Sequence, residues 1–170
     1  IGTSGSGKTT LARELSRRMG AAMIELDELH WGPNWTPRAD FSERVQAAIG
    51  ASDHWVIDGN YQKLRPLMWG AADAIVWLDY PMRLVFNRVL RRTFARWWRR
   101  DELWCGNRER LWTQFCTADS LLLWVIQTWR KHRRDYPKML REAAEEGKTI
   151  VRLRSPAAAE KWLSQIGSAG

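Results

Sequence analysis

The sequence is poor in the residues that build disulfide-bonded or zinc-bound scaffolds, since its 170 residues include only two cysteines and three histidines. Cys105 and Cys116 have no metal-binding spacing and the histidines are scattered, so we expect no metal cluster. Two free thiols of a cytoplasmic protein are expected rather than a disulfide. No apolar run approaches the ~18 residues of a membrane helix, because the longest covers residues 121–126, and no membrane partner is expected.

Acidic residues are scarce in one part of the chain. Residues 83–134 contain 13 Lys and Arg and only four acids, a net charge of +9, whereas the whole chain has a net charge of +8. This concentration of positive charge predicts an anionic partner: nucleotide phosphates, a phosphorylated substrate or a nucleic acid. Of the 27 basic residues 21 are arginines, which form bidentate contacts with phosphate.

The most informative sequence that is present is GTSGSGKT at residues 2–9, which matches the phosphate-binding pattern G-x-x-x-x-G-K-[ST] without a mismatch. Its glycines let successive backbone N–H groups face a phosphate chain. Lys8 would add a charge at the β- and γ-phosphates, and the Thr9 hydroxyl would bind Mg²⁺. The alternative is a flexible Gly/Ser-rich turn, but the residues that follow predict the helix that the mechanism needs.

That helix begins near Lys8, because Leu11, Leu15 and Met19 fall on one face, and Gly20 ends it. Its positive end would point at the same anion. A loop of this kind follows a buried strand, yet only Ile1 precedes it and no initiator Met is present. We therefore expect most of the first strand to lie upstream of residue 1.

Strand and helix signals alternate along the rest of the chain, which predicts a doubly wound α/β fold in a single domain over residues 1–170. Unbroken apolar runs such as residues 74–78 are typical of strands buried on both faces of a parallel sheet. Strands are predicted at residues 22–26, 55–57, 74–78 and 149–153, and helices at residues 40–49 and 156–166.

The alternation stops at residues 82–147, a stretch too long for one crossover helix. Residues 82–100 predict a helix with Phe86, Leu90, Phe94 and Trp97 on one face and arginines on another. A loop is predicted at residues 101–107. A further helix is predicted from Asp119 or Ser120, with a break or kink at Pro137. The helical, Arg-rich insertion, about residues 83–134, is interpreted as a lid, with a solvated basic hairpin or an oligomer contact as alternatives.

Three aspartates follow predicted strands, and in an open parallel sheet ligands bind beyond these carboxyl ends. Asp58 is expected beside Lys8 and Thr9, where it would hold Mg²⁺ through water. Asp27 would face the acceptor and take its hydroxyl proton. For Asp79 we favour a structural role as a cap on the turn into the next helix.

The chain resembles the nucleoside monophosphate kinase and shikimate kinase branch of P-loop proteins over nearly its whole length. The motifs that carry this resemblance are Val-Ile-Asp-Gly at residues 56–59 and Trp-Leu-Asp-Tyr-Pro at residues 77–81. Residues 26–31, 55–61 and 106–109 look more like a group of adenylate-kinase-like ATPases, some called DNA topology modulation proteins.

The resemblance implies a three-layer P-loop fold with a parallel five-stranded sheet in the order 2-3-1-4-5, flanked by helices. It also implies an ATP- and Mg²⁺-dependent phosphotransferase. The catalytic residues would be Lys8, Asp27, Asp58, Arg88 and Arg92, and the metal ligands Thr9 and Asp58. The nucleotide would bind Gly2, Ser4, Gly5, Ser6, Gly7, Lys8, Thr9, Thr10, the lid residue Arg91 and, in the adenine loop, Arg154.

The acceptor half of the site departs from both families. The arginine that holds the AMP phosphate in adenylate kinases is missing after residues 58–59, with Lys63 or Arg65 as possible substitutes, and the shikimate kinase glycine cluster is absent. Aromatic walls from Trp31 and Trp35 would favour a ring or sugar acceptor, and converging arginines a phosphorylated one. Two alternatives stay open: a nucleic-acid-associated NTPase that uses residues 83–134, and a regulatory nucleotide-binding protein with little turnover. The sequence does not predict the oligomeric state.

Overall fold

The computed structural model describes residues 1–99 and 121–166. Helices and strands alternate along it, as the sequence predicts. The strands are β1 (Ala22–Glu25), β2 (Trp55–Asp58), β3 (Ala74–Leu78) and β4 (Thr149–Leu153). The helices are α1 (Lys8–Met19), α2 (Leu26–His30), α3 (Phe41–Gly50), α4 (Arg65–Ala71), α5 (Met82–Arg99), α6 (Leu121–Glu145) and α7 (Pro156–Gln165), with short 3-10 turns at Pro33–Trp35 and Gln62–Leu64.

The strands form two parallel pairs. β1 pairs with β2, which places Glu25 opposite Asp58, and β3 pairs with β4, which places Leu78 opposite Leu153. Ile1 lies along the free edge of β3, where its carbonyl accepts a hydrogen bond from the Leu78 N–H at 3.0 Å. A cavity of about 300 Å³ lies between β2 and β3 under α1. The α/β fold is thus confirmed, while the five-strand order remains a prediction.

Helix α1 is set by a glycine at each end. Gly7 caps its start with a φ of 92°, and Gly20 ends it with a φ of 62° while donating its N–H to the Ser16 carbonyl. Both angles lie in the left-handed region that glycine adopts without a Cβ penalty. At the other end of the chain, Ser155 accepts a hydrogen bond from the Ala158 N–H at 3.1 Å and starts α7. These predicted boundaries are confirmed.

The predicted core face of α5 is wrong by one residue. The buried line is Val85, Val89 and Thr93, whereas Phe94 is 59% exposed. Val85 and Val89 join a hydrophobic cluster with Val125 of α6. The described parts of the Arg-rich insertion are therefore packed into the core through these two helices.

Three further features differ from the sequence predictions. Leu26 begins α2 rather than ending a strand, so Asp27 lies in the first turn of a helix. Helix α4 was not predicted, although Pro66 in its first turn is a known start signal. Pro137 lies inside α6, so the predicted break is absent and a kink there stays a prediction. The predicted loop at 101–107, both cysteines and the Asp119 or Ser120 cap lie outside the described residues.

Within the described ranges, no helix is both long and apolar enough to cross a bilayer.

Candidate active site

The loop at residues 2–8 turns tightly between Ile1 and α1. The Ser6 N–H donates to the Thr3 carbonyl at 3.0 Å, which closes the turn. Gly5, with a φ of 83°, is packed so tightly that a Cβ there would lie 2.5 Å from Val89 Cγ2. The loop thus sits against α5, and the first-turn N–H groups of α1 are directed at the space in front of it.

Lys8 occupies the centre of this loop. Its Nζ donates to the Thr3 carbonyl at 3.3 Å. Burial lowers the pKa of Lys8, an effect that nearby Asp58 and Asp27 oppose and that Arg92 reinforces. The hydrogen bond from Lys8 to the Thr3 carbonyl is long, so an anion bound in the loop would be a stronger partner for the ammonium group.

The end of β2 brings Asp58 to the start of α1. Thr9 Oγ1 donates a hydrogen bond to Asp58 Oδ2. The other carboxylate oxygen, Oδ1, is buried and has no hydrogen-bond partner within the described residues. A hydroxyl and a carboxylate with an unused oxygen form the kind of oxygen donor set that Mg²⁺ prefers, so the residues present fit this metal.

Two arginines of α5 reach the same loop. Arg88 Nη1 donates to the Ser6 carbonyl at 3.2 Å, and Arg92 Nη2 donates to Ser4 Oγ at 3.1 Å. They are four residues apart and so share one face of the helix. Arg91 is exposed on another face, and Arg154 is exposed after β4. The structure brings neither of these two arginines to the loop.

In front of the loop lies a cavity of about 1380 Å³. Lys8, Thr9, Asp58, Arg88 and Arg92 all line it near the loop. The cavity is also lined by Pro156, Ala159, Glu160 and Leu163 of α7 and by Trp31 and Trp35. It is large enough for a nucleotide and has both charged and apolar lining residues.

Asp27 is fixed by a hydrogen bond from Tyr61, whose hydroxyl donates to Asp27 Oδ1 at 2.7 Å. Burial and this bond together raise the pKa of Tyr61, so its hydroxyl stays protonated. The Tyr61 ring packs in turn on His30 and Phe41, with centroids 4.7 and 4.9 Å away. The Asp27 carboxylate is therefore held in one orientation.

A second cavity, of about 980 Å³, opens between α6 and the segment after β2. It shares part of its wall with the first cavity. The residues that line both are Ser4, Lys8, Asp27, Trp31 and Gly59. Lys8 and Asp27 consequently lie where a ligand in the first cavity would contact a ligand in the second.

A buried network next to this shared wall was missed by sequence reasoning. Asn60 Nδ2 donates to His132 Nε2 at 3.0 Å, and Thr3 Oγ1 lies 3.3 Å from His132 Nδ1. The Tyr136 hydroxyl donates to Asn60 Oδ1 at 2.7 Å, and its ring stacks on His132 at 4.4 Å. The four-residue spacing of His132 and Tyr136 on one helix was the only available signal.

Asp79 has a structural role, but not as the predicted cap. It is buried and binds two arginines from different elements, Arg152 at 2.6 Å and Arg133 at 3.2 Å. Arg133 belongs to the segment 83–134, as do Arg88, Arg92 and Arg134, which pairs with Asp135. Four of the described arginines of this segment therefore already serve contacts within the protein. This finding weakens the case for that segment as a nucleic-acid surface.

Comparison with known proteins supports the fold but leaves the activity open. No family model matches the chain. A shikimate kinase from Bacteroides thetaiotaomicron superimposes with a TM-score of 0.56 at 15% identity, covering 99% of this chain and 94% of the kinase. A gluconokinase from Sinorhizobium meliloti 1021 matches at 20% identity with a TM-score of 0.48, over 99% of this chain and 91% of that one.

A curated relative by sequence is the uncharacterized protein YqaC of Bacillus subtilis (strain 168). It is 24% identical over 100 residues, which span 57% of this chain and 56% of that protein. The chain thus shares its α/β fold with the shikimate kinase structure, and the matched segment covers about half the length of the Bacillus protein.

Proposed function

We propose that this chain is an ATP-dependent phosphotransferase that works with Mg²⁺ on a small-molecule acceptor. One arrangement carries the proposal. Lys8 and Asp27 lie on the wall between two cavities, and the Thr9–Asp58 pair lines the first of them; the first has the volume for a nucleotide and the second the volume for an acceptor. The fold likeness to a shikimate kinase agrees with it.

In the nucleotide cavity, Lys8 and the first N–H groups of α1 would bind the β- and γ-phosphates. Thr9 and Asp58 would hold Mg²⁺, which when bound offsets phosphate charge. Arg88 and Arg92 bind oxygens of the loop and line the same cavity, so they would contact the same phosphates. These fixed positive groups would stabilise charge that develops on the transferred group.

Asp27 would act as the general base at the shared wall. The acceptor oxygen forms its bond to the γ-phosphorus, the bond from that phosphorus to the ADP oxygen breaks, and the hydroxyl proton passes to Asp27. Tyr61 would hold the carboxylate in place through its hydrogen bond to Oδ1. The other Asp27 oxygen then remains for the acceptor hydroxyl.

The test is ADP formation by the wild type and by Lys8→Ala across nucleosides, nucleotides, sugars and hydroxy acids. We expect Lys8→Ala to lower turnover by about 100-fold or more, because it removes a charge aimed at the transferred group. Thermal unfolding of both proteins controls for folding. Full ATP turnover by Lys8→Ala would contradict the proposal, and ATP binding with no turnover for any acceptor would favour the regulatory alternative.

A further inference from the structure

One wall of the second cavity has no part in the proposed transfer step. Arg65, at the start of α4, and Lys131, on α6, line this cavity from two different elements. Asp27 and Lys8 lie on the wall that the two cavities share. The two basic side chains therefore face the volume in which an acceptor would lie once its hydroxyl is placed at Asp27.

Arg65 is held in position without a strong hydrogen-bond partner. Its guanidinium carbon lies 5.4 Å from the ring centroid of Trp69 and 5.9 Å from that of Tyr136. Its one hydrogen bond to the described residues goes from Nη1 to the sulfur of Met139 at 3.3 Å. A thioether is a weak acceptor, and a guanidinium group has five N–H donors, so most of its donors are unused.

Two further basic residues that line this cavity are paired with carboxylates, and one of them is Lys138, whose Nζ lies 3.9 Å from Glu142 Oε1. Arg134 is neutralised by Asp135, with Nε and Oδ1 2.7 Å apart. Lys131 is bound only to a neutral group, since its Nζ donates to Gln62 Oε1 at 3.3 Å. In the part of the chain that the structure describes, neither Arg65 nor Lys131 has a carboxylate within ion-pair distance. Asp135 interacts with Lys131 at longer range, and both basic side chains can still bind a ligand.

His132 lines the same cavity, where burial and the positive charges around it lower its pKa. Burial is the largest cause that lowers its pKa to about 4, and the charges of Lys8, Arg65, Lys131 and the Ile1 amino group lower it further. The charges that lower this pKa are all positive, and they outnumber the carboxylate of Asp135, which also interacts with the ring. A bound anion would relieve that excess.

We propose that Arg65 and Lys131 bind an anionic group of the acceptor, and that the acceptor is a small hydroxyl compound carrying a carboxylate or a phosphate. This inference rests on the proposed function and narrows its substrate class. The inference also distinguishes the two basic residues that follow β2, Lys63 and Arg65. Arg65 lines the cavity, whereas Lys63 is exposed and is not part of the lining. Lys63 is therefore the matched control.

The first experiment measures binding with the nucleotide cavity filled by a non-hydrolysable ATP analogue and Mg²⁺. Glycerate, glycerol 3-phosphate and glycerol are titrated by calorimetry, since they share a carbon skeleton and differ in the anion. We expect one or both anionic probes to bind and glycerol not to. Arg65→Gln and Lys131→Gln should weaken that binding by roughly 10- to 100-fold, and Lys63→Gln should leave it unchanged.

Lys131→Gln guards against a folding artefact, because Lys131 is exposed whereas Arg65 packs on two rings. The two anionic probes also separate a carboxylate acceptor from a phosphate acceptor. Equal binding by all four proteins, tighter binding of glycerol, or no binding of either anion by the wild type would overturn the inference. Failure of the ATP analogue to bind, with Arg65-dependent anion binding retained, would instead overturn the phosphotransferase proposal and leave the anion site standing.

Discussion

Asn60 and His132 are 72 residues apart in the chain, yet Asn60 Nδ2 lies 3.0 Å from His132 Nε2. The contact joins the segment after β2 to helix α6, and through His132 Nδ1 it reaches Thr3 of the phosphate-binding loop. A neutral imidazole ring has one N–H donor and one acceptor nitrogen. Nε2 accepts from Asn60, so Nδ1 carries the hydrogen and donates to Thr3 Oγ1.

This arrangement predicts how stability changes with pH. The pKa of His132 falls to about 4 in the folded protein, below its ordinary value of 6.5. The unfolded chain therefore takes up a proton first as the pH falls. The stability linked to this ring is complete above pH 6.5 and declines towards pH 4, by at most about 3 kcal/mol. Urea unfolding at several pH values between about 7 and 4.5 measures the decline.

The variant His132→Gln isolates this effect, because glutamine does not titrate. We expect the stability gap between wild type and His132→Gln to shrink as the pH falls through this window. His54→Gln, at an exposed position, controls for the loss of a histidine and should keep the wild-type decline. Parallel curves for the wild type and His132→Gln would show that the ring is not held neutral.

A second prediction concerns the pair formed by Thr9 and Asp58. If the two side chains hold Mg²⁺, Thr9→Val should lower turnover by about 10- to 100-fold, because valine keeps the shape but has no ligand oxygen. Thr9→Ser should restore most of the activity. Rates measured against Mg²⁺ concentration, with chelator as the zero point, are the readout. The same rate and Mg²⁺ dependence in Thr9→Val as in wild type would exclude the metal role.

Much of the fold could be predicted because its signals are local. Gly20 ends α1 and Ser155 starts α7 through contacts within a few residues, so the sequence alone contains the cause. The phosphate-binding loop and the ends of β2 and β3 are likewise marked by short, continuous sequence motifs. The network around His132 could not be predicted, since its contact with Thr3 spans 129 residues and depends on how α6 packs.

The face of α5 shows a different limit. Its large apolar residues suggested a core line through Phe86, Leu90 and Phe94, but Val85 and Val89 are the buried ones. The reason is the close approach of the phosphate-binding loop. A Cβ on Gly5 would lie 2.5 Å from Val89 Cγ2, so only small side chains fit between helix and loop. That constraint comes from tertiary packing, and the helical spacing of Val85, Val89 and Thr93 does not by itself distinguish their face from that of the larger apolar residues.

The same close approach predicts the effect of a methyl group on the loop. Gly5→Ala should lower the free energy of unfolding by about 1–3 kcal/mol, because the alanine meets both a positive φ and Val89. Gly50→Ala is the matched control, since a Cβ there meets nothing within 4 Å. It should be neutral or stabilise the protein by about 0.5–1 kcal/mol. Urea unfolding of both variants provides the comparison, and equal stability would refute tight packing at Gly5.

The last prediction separates the three neighbouring arginines of α5. Arg88 and Arg92 bind oxygens of the loop, whereas Arg91 is exposed on another face. Arg88→Gln and Arg92→Gln should each lower turnover by about 10- to 100-fold, because each removes a positive charge near the transferred phosphate. Arg91→Gln removes the same charge from the same helix and should change turnover by less than about twofold.

Steady-state kinetics with varied ATP distinguish loss of nucleotide binding from loss of turnover in these variants. Thermal unfolding of each variant controls for stability, since Arg88 also lies 5.6 Å from the Tyr80 ring. If Arg91→Gln is as impaired as the other two, the helix must present a different face to the nucleotide during turnover. A fixed position of α5 against the loop would then be wrong for the working enzyme, and the assignment of Arg88 and Arg92 would have to be withdrawn.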